Sequence, residues 1–194
     1  MLAFSRITSI LFFVLSLSFL TCALPTSAPH SNALAARDPG AQLLKICADL
    51  EVDVKAKVDV ILAVDAKVLA DVEVLVKDLT AVIDVAVKAI VAVGVKLDID
   101  AEVQAKIAVH IAAVIKLIVD LCAKLIVKLG VSVALGLLVL IDASLKGLLL
   151  ALTATVAGIL DVVVGLLAGI TAQVLLNVHL ALSLNVFVLL GLSL

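Results

Sequence analysis

The chain has 194 residues with a formal net charge of -2, and 65% of its residues are hydrophobic. Ordinary soluble domains are roughly 45–50% apolar, so a mean hydropathy of +1.38 lies far outside their usual composition. The absence of a basic patch argues against a nucleic-acid partner, and the absence of Trp and Tyr argues against a conventional membrane protein with interfacial aromatic belts.

The first 23 residues are typical of a secretory signal peptide. Arg6 supplies a positive charge, residues 10–20 form an apolar run, and residues 21–23 form a small-residue cleavage site. An N-terminal membrane anchor is the alternative, but the apolar run is short and polar sequence follows it. Residues 1–23 are therefore predicted to direct secretion.

The mature chain is predicted to divide by charge. Residues 24–40 have the composition of a Pro/Ser-rich linker or a pro-segment, and processing after Arg37 is left open. Residues 41–194 would form one helical domain, with amphipathic charged helices over 41–129 and hydrophobic helices over 130–194. A charged half joined to a nearly uncharged half predicts contact with two different environments.

Residues 50–62, LEVDVKAKVDVIL, alternate charged and apolar side chains and could form a strand or a helix. Glu51 with Lys55, and Asp53 with Lys57, would pair at i,i+4 only on a helix. A helix also aligns six apolar residues on one stripe, namely Leu43, Cys47, Leu50, Val54, Val58 and Ile61. The helix is favoured, although the valines favour a strand.

A second apolar stripe would lie on the far side of this helix, formed by Val52, Ala56 and Val60. That stripe is either sandwiched inside the bundle or part of the functional surface.

Two further amphipathic helices are predicted, because polar residues share one face of each segment at 100° per residue. The first covers residues 66–93 and is ended or bent by Gly94, and the second covers residues 101–129. Residues 96–106 alternate again, as either a strand or the lead-in to the helix that follows.

Cleavage of the signal peptide would leave two cysteines, Cys47 and Cys122. Each lies on the apolar face of its predicted helix, and an even number of cysteines in an oxidising compartment is typical of disulfides. A disulfide between Cys47 and Cys122 is therefore predicted, which would stabilise the fold by roughly 4 kcal/mol. Two buried free thiols are the alternative.

The last part of the chain, from Gly147 onward, contains a single charge at Asp161. Residues 147–169 are long enough to span a bilayer, since about 20 apolar residues suffice, but nothing requires insertion. Four small residues predict close helix–helix packing, preferably in the bundle core: Ala154, Gly158, Gly165 and Gly169.

No catalytic, metal or cofactor site is predicted. His30, His110 and His179 lie far apart and have no Ser or Cys partner in a recognisable context. Asp142 and Asp161 are isolated carboxylates, whereas acid–base catalysis needs two groups whose environments separate their pKa values. For Asp161, a packing or solvent-reaching role is favoured over a functional one. The sequence therefore predicts a protein that is not an enzyme.

The stretch DVKAKVDVILAVDAKV at residues 53–68, the signal peptide and the hydrophobic second half together resemble a group of small secreted proteins of mushroom-forming fungi. The resemblance is one of composition and layout over most of the mature chain. It implies a location at the cell wall and hyphal surface and a part in aerial growth alongside hydrophobins. The chain does not resemble hydrophobins themselves, which have eight cysteines.

These patterns predict an all-α bundle of about five to six helices that is secreted to the extracellular space or the cell wall. The expected function is structural and surface-active, without a cofactor. The expected partners are cell-wall polymer, lipid or another hydrophobic surface, and self-association is left open. The alternatives are an integral membrane protein with two to three C-terminal transmembrane helices, and a small-lipid carrier with the apolar half as its pocket.

Overall fold

The computed structural model describes residues 38–64, 69–167, 170 and 172–189. These residues form helices α1 (Pro39–Ala63), α2 (Leu69–Val93), α3 (Ala101–Leu129), α4 (Val131–Thr155), α5 (Ile159–Leu166), α6 (Ala172–Asn177) and α7 (Ala181–Leu189). The prediction of an all-α bundle is confirmed, and the described part of the chain contains no strand. The predicted signal peptide, and the linker as far as Arg37, lie outside the described residues.

Helix α1 begins two residues before the predicted start of the domain, so the linker boundary at residue 40 needs correction. The Asp38 carboxylate accepts a hydrogen bond from the Gly40 amide at 3.0 Å, and Pro39 occupies the first turn. Aspartate at the N-cap satisfies an amide that has no partner within the helix, and proline is suited to the first helical position. The sequence Asp-Pro therefore starts the helix.

The apolar stripe predicted for α1 is confirmed. Its six residues are all buried, at 0–2% exposure: Leu43, Cys47, Leu50, Val54, Val58 and Ile61. Their positions include odd and even numbers, so a strand would have split them between two faces. The strand interpretation of residues 50–62 is therefore wrong.

Helices α1 to α4 form a four-helix bundle around an aliphatic core. Helix α1 packs on α2 and α3, and α4 packs on the other side of both. Helices α1 and α3 run parallel, because Glu51 contacts His110 near their middles and the Lys128 ammonium donates to the Leu62 carbonyl at their ends. The predicted helix over 101–129 is confirmed at both ends, and α2 ends before Gly94 as predicted.

Residues 94–100 connect α2 to α3 by passing the C-terminal end of α4. The Lys96 amide donates to the Ala154 carbonyl at 3.0 Å, and the Leu97 amide donates to the Thr155 carbonyl at 2.8 Å. The last carbonyls of a helix lack partners within it, so the connection completes the end of α4. The strand interpretation of residues 96–106 is wrong, because the segment leads into α3 at Ala101.

The apolar stretch at residues 147–169, which is long enough to span a bilayer, does not form one continuous helix. Helix α4 ends at Thr155, and Gly158 adopts a left-handed φ of +72° before α5 begins. Helix α5 packs on α3 and α4, and the Lys116 ammonium donates to the Leu166 carbonyl at 2.8 Å. Helix α7 packs on α4 and α6.

Candidate functional surface

Helix α4 carries an uncharged and largely exposed face, which we call the outer face of α4. It consists of Gly136, Val139, Leu140, Ala143, Gly147, Leu150 and Ala154. At 100° per residue these positions fall within an arc of about 100°, and they extend along roughly 27 Å of helix. The three large side chains are 41–52% exposed. A continuous apolar strip of this kind is typical of an interaction surface.

The buried face of α4 is equally apolar, so the helix is hydrophobic nearly all round. Its two charged residues avoid the outer face, because Asp142 is buried and Lys146 is half-buried beside the strip. Among the described helices, α4 is the one long and apolar enough to cross a membrane, and 44% of its most apolar window is buried inside the bundle. Helix α4 therefore serves as a core helix on one side and presents an apolar surface on the other.

Charged side chains cover much of α1, α2 and α3, but they do not pair as predicted on α1. Glu51 lies 2.6 Å from His110 on α3, and Lys57 lies 3.5 Å from Asp78 on α2. The predicted pairs of Glu51 with Lys55 and of Asp53 with Lys57 are therefore wrong. Glu51 and Lys57 pair instead with residues of neighbouring helices, and the sequence of α1 alone does not show which residues these are.

The exposed faces of α2 and α3 do carry ion pairs within one helix. Lys77 pairs with Glu73, Lys106 with Glu102 and Lys124 with Asp120, at 2.6–2.7 Å. The hydrogen bond from Lys106, and then its charge, lower the pKa of Glu102. Exposed pairs contribute little to stability, so their main effect is to keep these faces hydrated.

The second apolar stripe of α1 lies on the protein surface. Val52 is 67% exposed and Val60 is 47% exposed, and Ala56 between them is exposed as well. Charged residues flank this stripe on both sides. It differs in this respect from the outer face of α4, which runs for about five turns without a charge.

Asp142 holds α7 against α4 through a buried set of hydrogen bonds. Its carboxylate accepts from the Leu182 amide at 2.7 Å, the Ser183 amide at 2.9 Å and the Ser183 hydroxyl at 2.6 Å. Residue 180, which precedes α7, is leucine and cannot cap the helix with its side chain. Asp142 therefore supplies from α4 the cap that α7 lacks, and its negative charge favours that end of the helix dipole.

Sequence reasoning treated Asp142 as isolated and missed this contact. The sequence does not single out this pair, because other polar residues such as Asn177 and Asn185 lie in the same half of the chain. Buried polar groups need hydrogen-bond partners, but which of these residues are buried depends on how the helices pack. The Asp142 carboxylate therefore has a structural role, which is to hold the start of α7.

Cys47 and Cys122 are both fully buried free thiols, so the predicted disulfide is corrected to the alternative that the sequence also allowed. Contacts between α1 and α3 join residues 59 to 66 positions apart. Cys122 is therefore level with about residue 60 of α1, roughly 20 Å along the helix from Cys47. A disulfide requires Cα atoms about 4.4–6.8 Å apart. Burial raises the pKa of each thiol to about 12, and the charge of Asp142 adds to the rise at Cys122.

The small residues predicted to pack helices closely do not do so within the described chain. Ala154 and Gly158 are exposed, and the helix break at residues 156–158 removes them from a common face with the residues that follow. Gly165 is exposed too, and an added Cβ there would meet no described heavy atom within 4 Å. Gly169 lies outside the described residues.

The remaining candidate residues form no chemical cluster. His110 contacts Glu51, His179 lies in the turn before α7, and His30 is outside the described residues. Asp161 is exposed in the first turn of α5, in agreement with the solvent-reaching role. Across residues 38–64, 69–167, 170 and 172–189, no group of three or more His, Cys, Asp or Glu side chains could hold a metal ion.

A groove of about 410 Å³ lies between α1 and α2 on the charged side of the bundle. Its lining is mainly aliphatic, with two carboxylates: Ile46, Asp49, Leu50, Asp53, Ala81, Val82, Val85, Ala86 and Ala89. Volumes of about 300–1,000 Å³ are usual for small-molecule sites. The sequence predicted neither the groove nor its lining, because both depend on the register between two helices.

Comparisons of the chain with protein-family models, with curated proteins and with solved structures gave no match. A helical bundle by itself does not specify a function. Function is therefore inferred below from the surfaces of the bundle.

Proposed function

We propose that this chain is a secreted, non-catalytic structural protein that adsorbs to hydrophobic surfaces through the outer face of α4. The uncharged, half-exposed strip on that helix is the observation that carries the proposal. Burying the exposed parts of Val139, Leu140 and Leu150 would contribute on the order of 2–4 kcal/mol. This contribution favours reversible adsorption at an air, lipid or solid interface.

The other side of the bundle supports the same proposal. Helices α1 to α3 expose most of the charged residues of the described chain, and these would face water or cell-wall polymer. A molecule with one hydrated side and one apolar strip adopts a defined orientation at a boundary, as amphipathic helices do. The resemblance to secreted proteins of mushroom-forming fungi suggests the cell wall and hyphal surface as that boundary.

Pendant-drop tensiometry on the purified mature protein would test the proposal. Wild-type protein at micromolar concentration should lower the surface tension of water, and the double variant Val139→Lys/Leu150→Lys should lower it much less. The matched control is Val52→Lys/Leu69→Lys, which adds the same charge at exposed positions of α1 and α2.

Two outcomes would contradict the proposal. A wild-type protein that leaves the surface tension unchanged is not surface-active. An equal loss in the two double variants would mean that added charge matters and the outer face of α4 does not. Fractionation of cells, wall and medium would test the proposed secretion separately.

Membrane insertion through α4 is the second candidate, favoured by the length and apolarity of that helix. Asp142 and Lys146 lie near its middle, and each charge would cost about 2.5–3.5 kcal/mol at the bilayer centre. Helices α5, α6 and α7 have 8, 6 and 9 residues, which is too short to span. Resistance of the protein to carbonate extraction from membranes would favour this candidate, and recovery from medium or wall would favour adsorption.

A further inference from the structure

The groove between α1 and α2 combines an apolar floor with a negatively charged wall. Leu50 and Ala86 form the floor and are 2% and 9% exposed, and Val82 lies half-buried beside them. Asp49 and Asp53 stand on the α1 side, and both are exposed. Residues at i and i+4 are neighbours on a helix surface, roughly 5–6 Å apart. One compact cation could therefore approach both carboxylates at once.

Neither carboxylate forms an ion pair among the described residues, in which Lys57 pairs with Asp78 instead. Lys45, four residues before Asp49, is exposed and lines the adjoining depression. The groove itself is lined by two carboxylates and by no cationic side chain, beside an aliphatic surface.

Small side chains on α2 keep the groove open. Ala81 and Ala89 line it on the α2 side. A second depression of about 590 Å³ shares Ile46 and Asp49 with it and lies toward the start of α1.

From these features, we propose that the groove binds small cationic amphiphiles, namely primary alkylammonium ions. The aliphatic chain would lie on Leu50, Val82 and Ala86, and the ammonium would donate hydrogen bonds to Asp49 and Asp53. An alkyl alcohol would gain only the apolar contact, and an alkyl carboxylate would be repelled by the two aspartates. This site is separate from the outer face of α4, so it does not depend on the proposed adsorption.

Methyl-resolved NMR titration of the mature protein at low salt would test the site, with octylammonium chloride, 1-octanol and octanoate as the probes. Octylammonium should bind most tightly and should shift the methyl signals of Leu50 and Val82. Asp49→Asn/Asp53→Asn should weaken octylammonium binding by about twofold to fivefold for each carboxylate and should leave octanol unaffected. Added salt should weaken binding to the wild-type protein as well.

The matched control is Asp59→Asn/Asp71→Asn, which changes the net charge equally at exposed positions outside the groove. Filling the groove with Ala81→Leu/Ala89→Leu should also reduce binding, and Ala56→Leu on the exposed stripe of α1 should not. Equal affinity for octanol and octylammonium would overturn the proposal. Methyl shifts confined to α4 and absent from Leu50 and Val82, or an equal loss in the two Asp-to-Asn pairs, would overturn it too.

Discussion

Helices α3 and α4 lie side by side in one core but present different surfaces to the outside. Each buries eleven residues. The exposed face of α3 carries Lys106, Lys116, Asp120 and Lys124, whereas the outer face of α4 carries no charge. Packing makes the same demand of both helices, so the difference outside is not a requirement of the fold. It is expected if α4 adsorbs to a hydrophobic surface and α3 faces water.

Truncating the buried faces should have the largest effect and should show that the two helices are equivalent there. Ile115→Ala in α3 and Leu145→Ala in α4 remove side chains that are 1% exposed. Each should lower the free energy of unfolding by about 2–5 kcal/mol, because a cavity remains. Urea denaturation measures this, with Val139→Ala on the outer face of α4 as the control. A negligible effect of Leu145→Ala would mean that α4 is not held in a soluble core.

The buried thiols should make stability sensitive to alkaline pH. Unfolded cysteines lose their protons around pH 9.0, and the folded thiols keep theirs up to about pH 12. The folded state therefore binds more protons in this range, and stability is lost as the pH rises. Between about pH 8 and pH 10 each thiol should cost roughly 1.4 kcal/mol.

The control for the thiols is the double variant Cys47→Ala/Cys122→Ala. Its free energy of unfolding, measured by urea denaturation across the same pH range, should fall less steeply than that of the wild type. Parallel curves would contradict the assignment of the pH dependence to the two thiols, whatever the offset between them.

Asp142→Ala should sharpen the comparison by loosening the contact between α4 and α7. The amides of Leu182 and Ser183 would lose their acceptor, at a cost of about 1–3 kcal/mol. Amide hydrogen exchange at these two residues should accelerate, together with a lower urea midpoint. Asp161→Ala, at an exposed carboxylate, should change neither measurement. Unchanged exchange in Asp142→Ala would mean that α7 is held by its apolar contacts alone.

Charge on the outer face of α4 should have the smallest effect on stability. Val139→Lys/Leu150→Lys should change the free energy of unfolding by at most about 0.5 kcal/mol per site, as is usual for surface positions. The loss of surface activity expected from the same variant would then result from the change in the outer face of α4 and not from unfolding of the protein. A large destabilisation would show instead that this face is packed in solution, for example against a second copy.

Periodicity predicted the fold well where each helix has two distinct faces. The stripe from Leu43 to Ile61 and both ends of α3 followed from spacing alone, because burial selects residues every three or four positions. The same method failed at residues 147–169, where nearly every side chain is apolar and periodicity carries no contrast. The break there depends on the left-handed conformation of Gly158.

Contacts between helices were beyond prediction for a different reason. Cys47 and Cys122 each face the core as predicted, but the register of α1 on α3 decides how far apart they lie. Glu51 had a suitable partner four residues away and yet pairs with His110 across the helix interface. The candidate surface on α4 lies in the half of the chain that was predicted to form hydrophobic helices, whereas the side left exposed depends on where α2 and α3 pack.

Two glycines on the outer face of α4 lower the intrinsic helix propensity of that helix. Gly136 and Gly147 lie inside the helix, and an added Cβ at either would meet no heavy atom of the described residues within 4 Å. Glycine in a helix interior is less favourable than alanine by about 0.8–1.0 kcal/mol. Gly136→Ala/Gly147→Ala should therefore raise the melting temperature of the protein. Because these two positions have no side chain, the outer face of α4 is flatter there, and the helix backbone would come closer to a hydrophobic surface in contact with it.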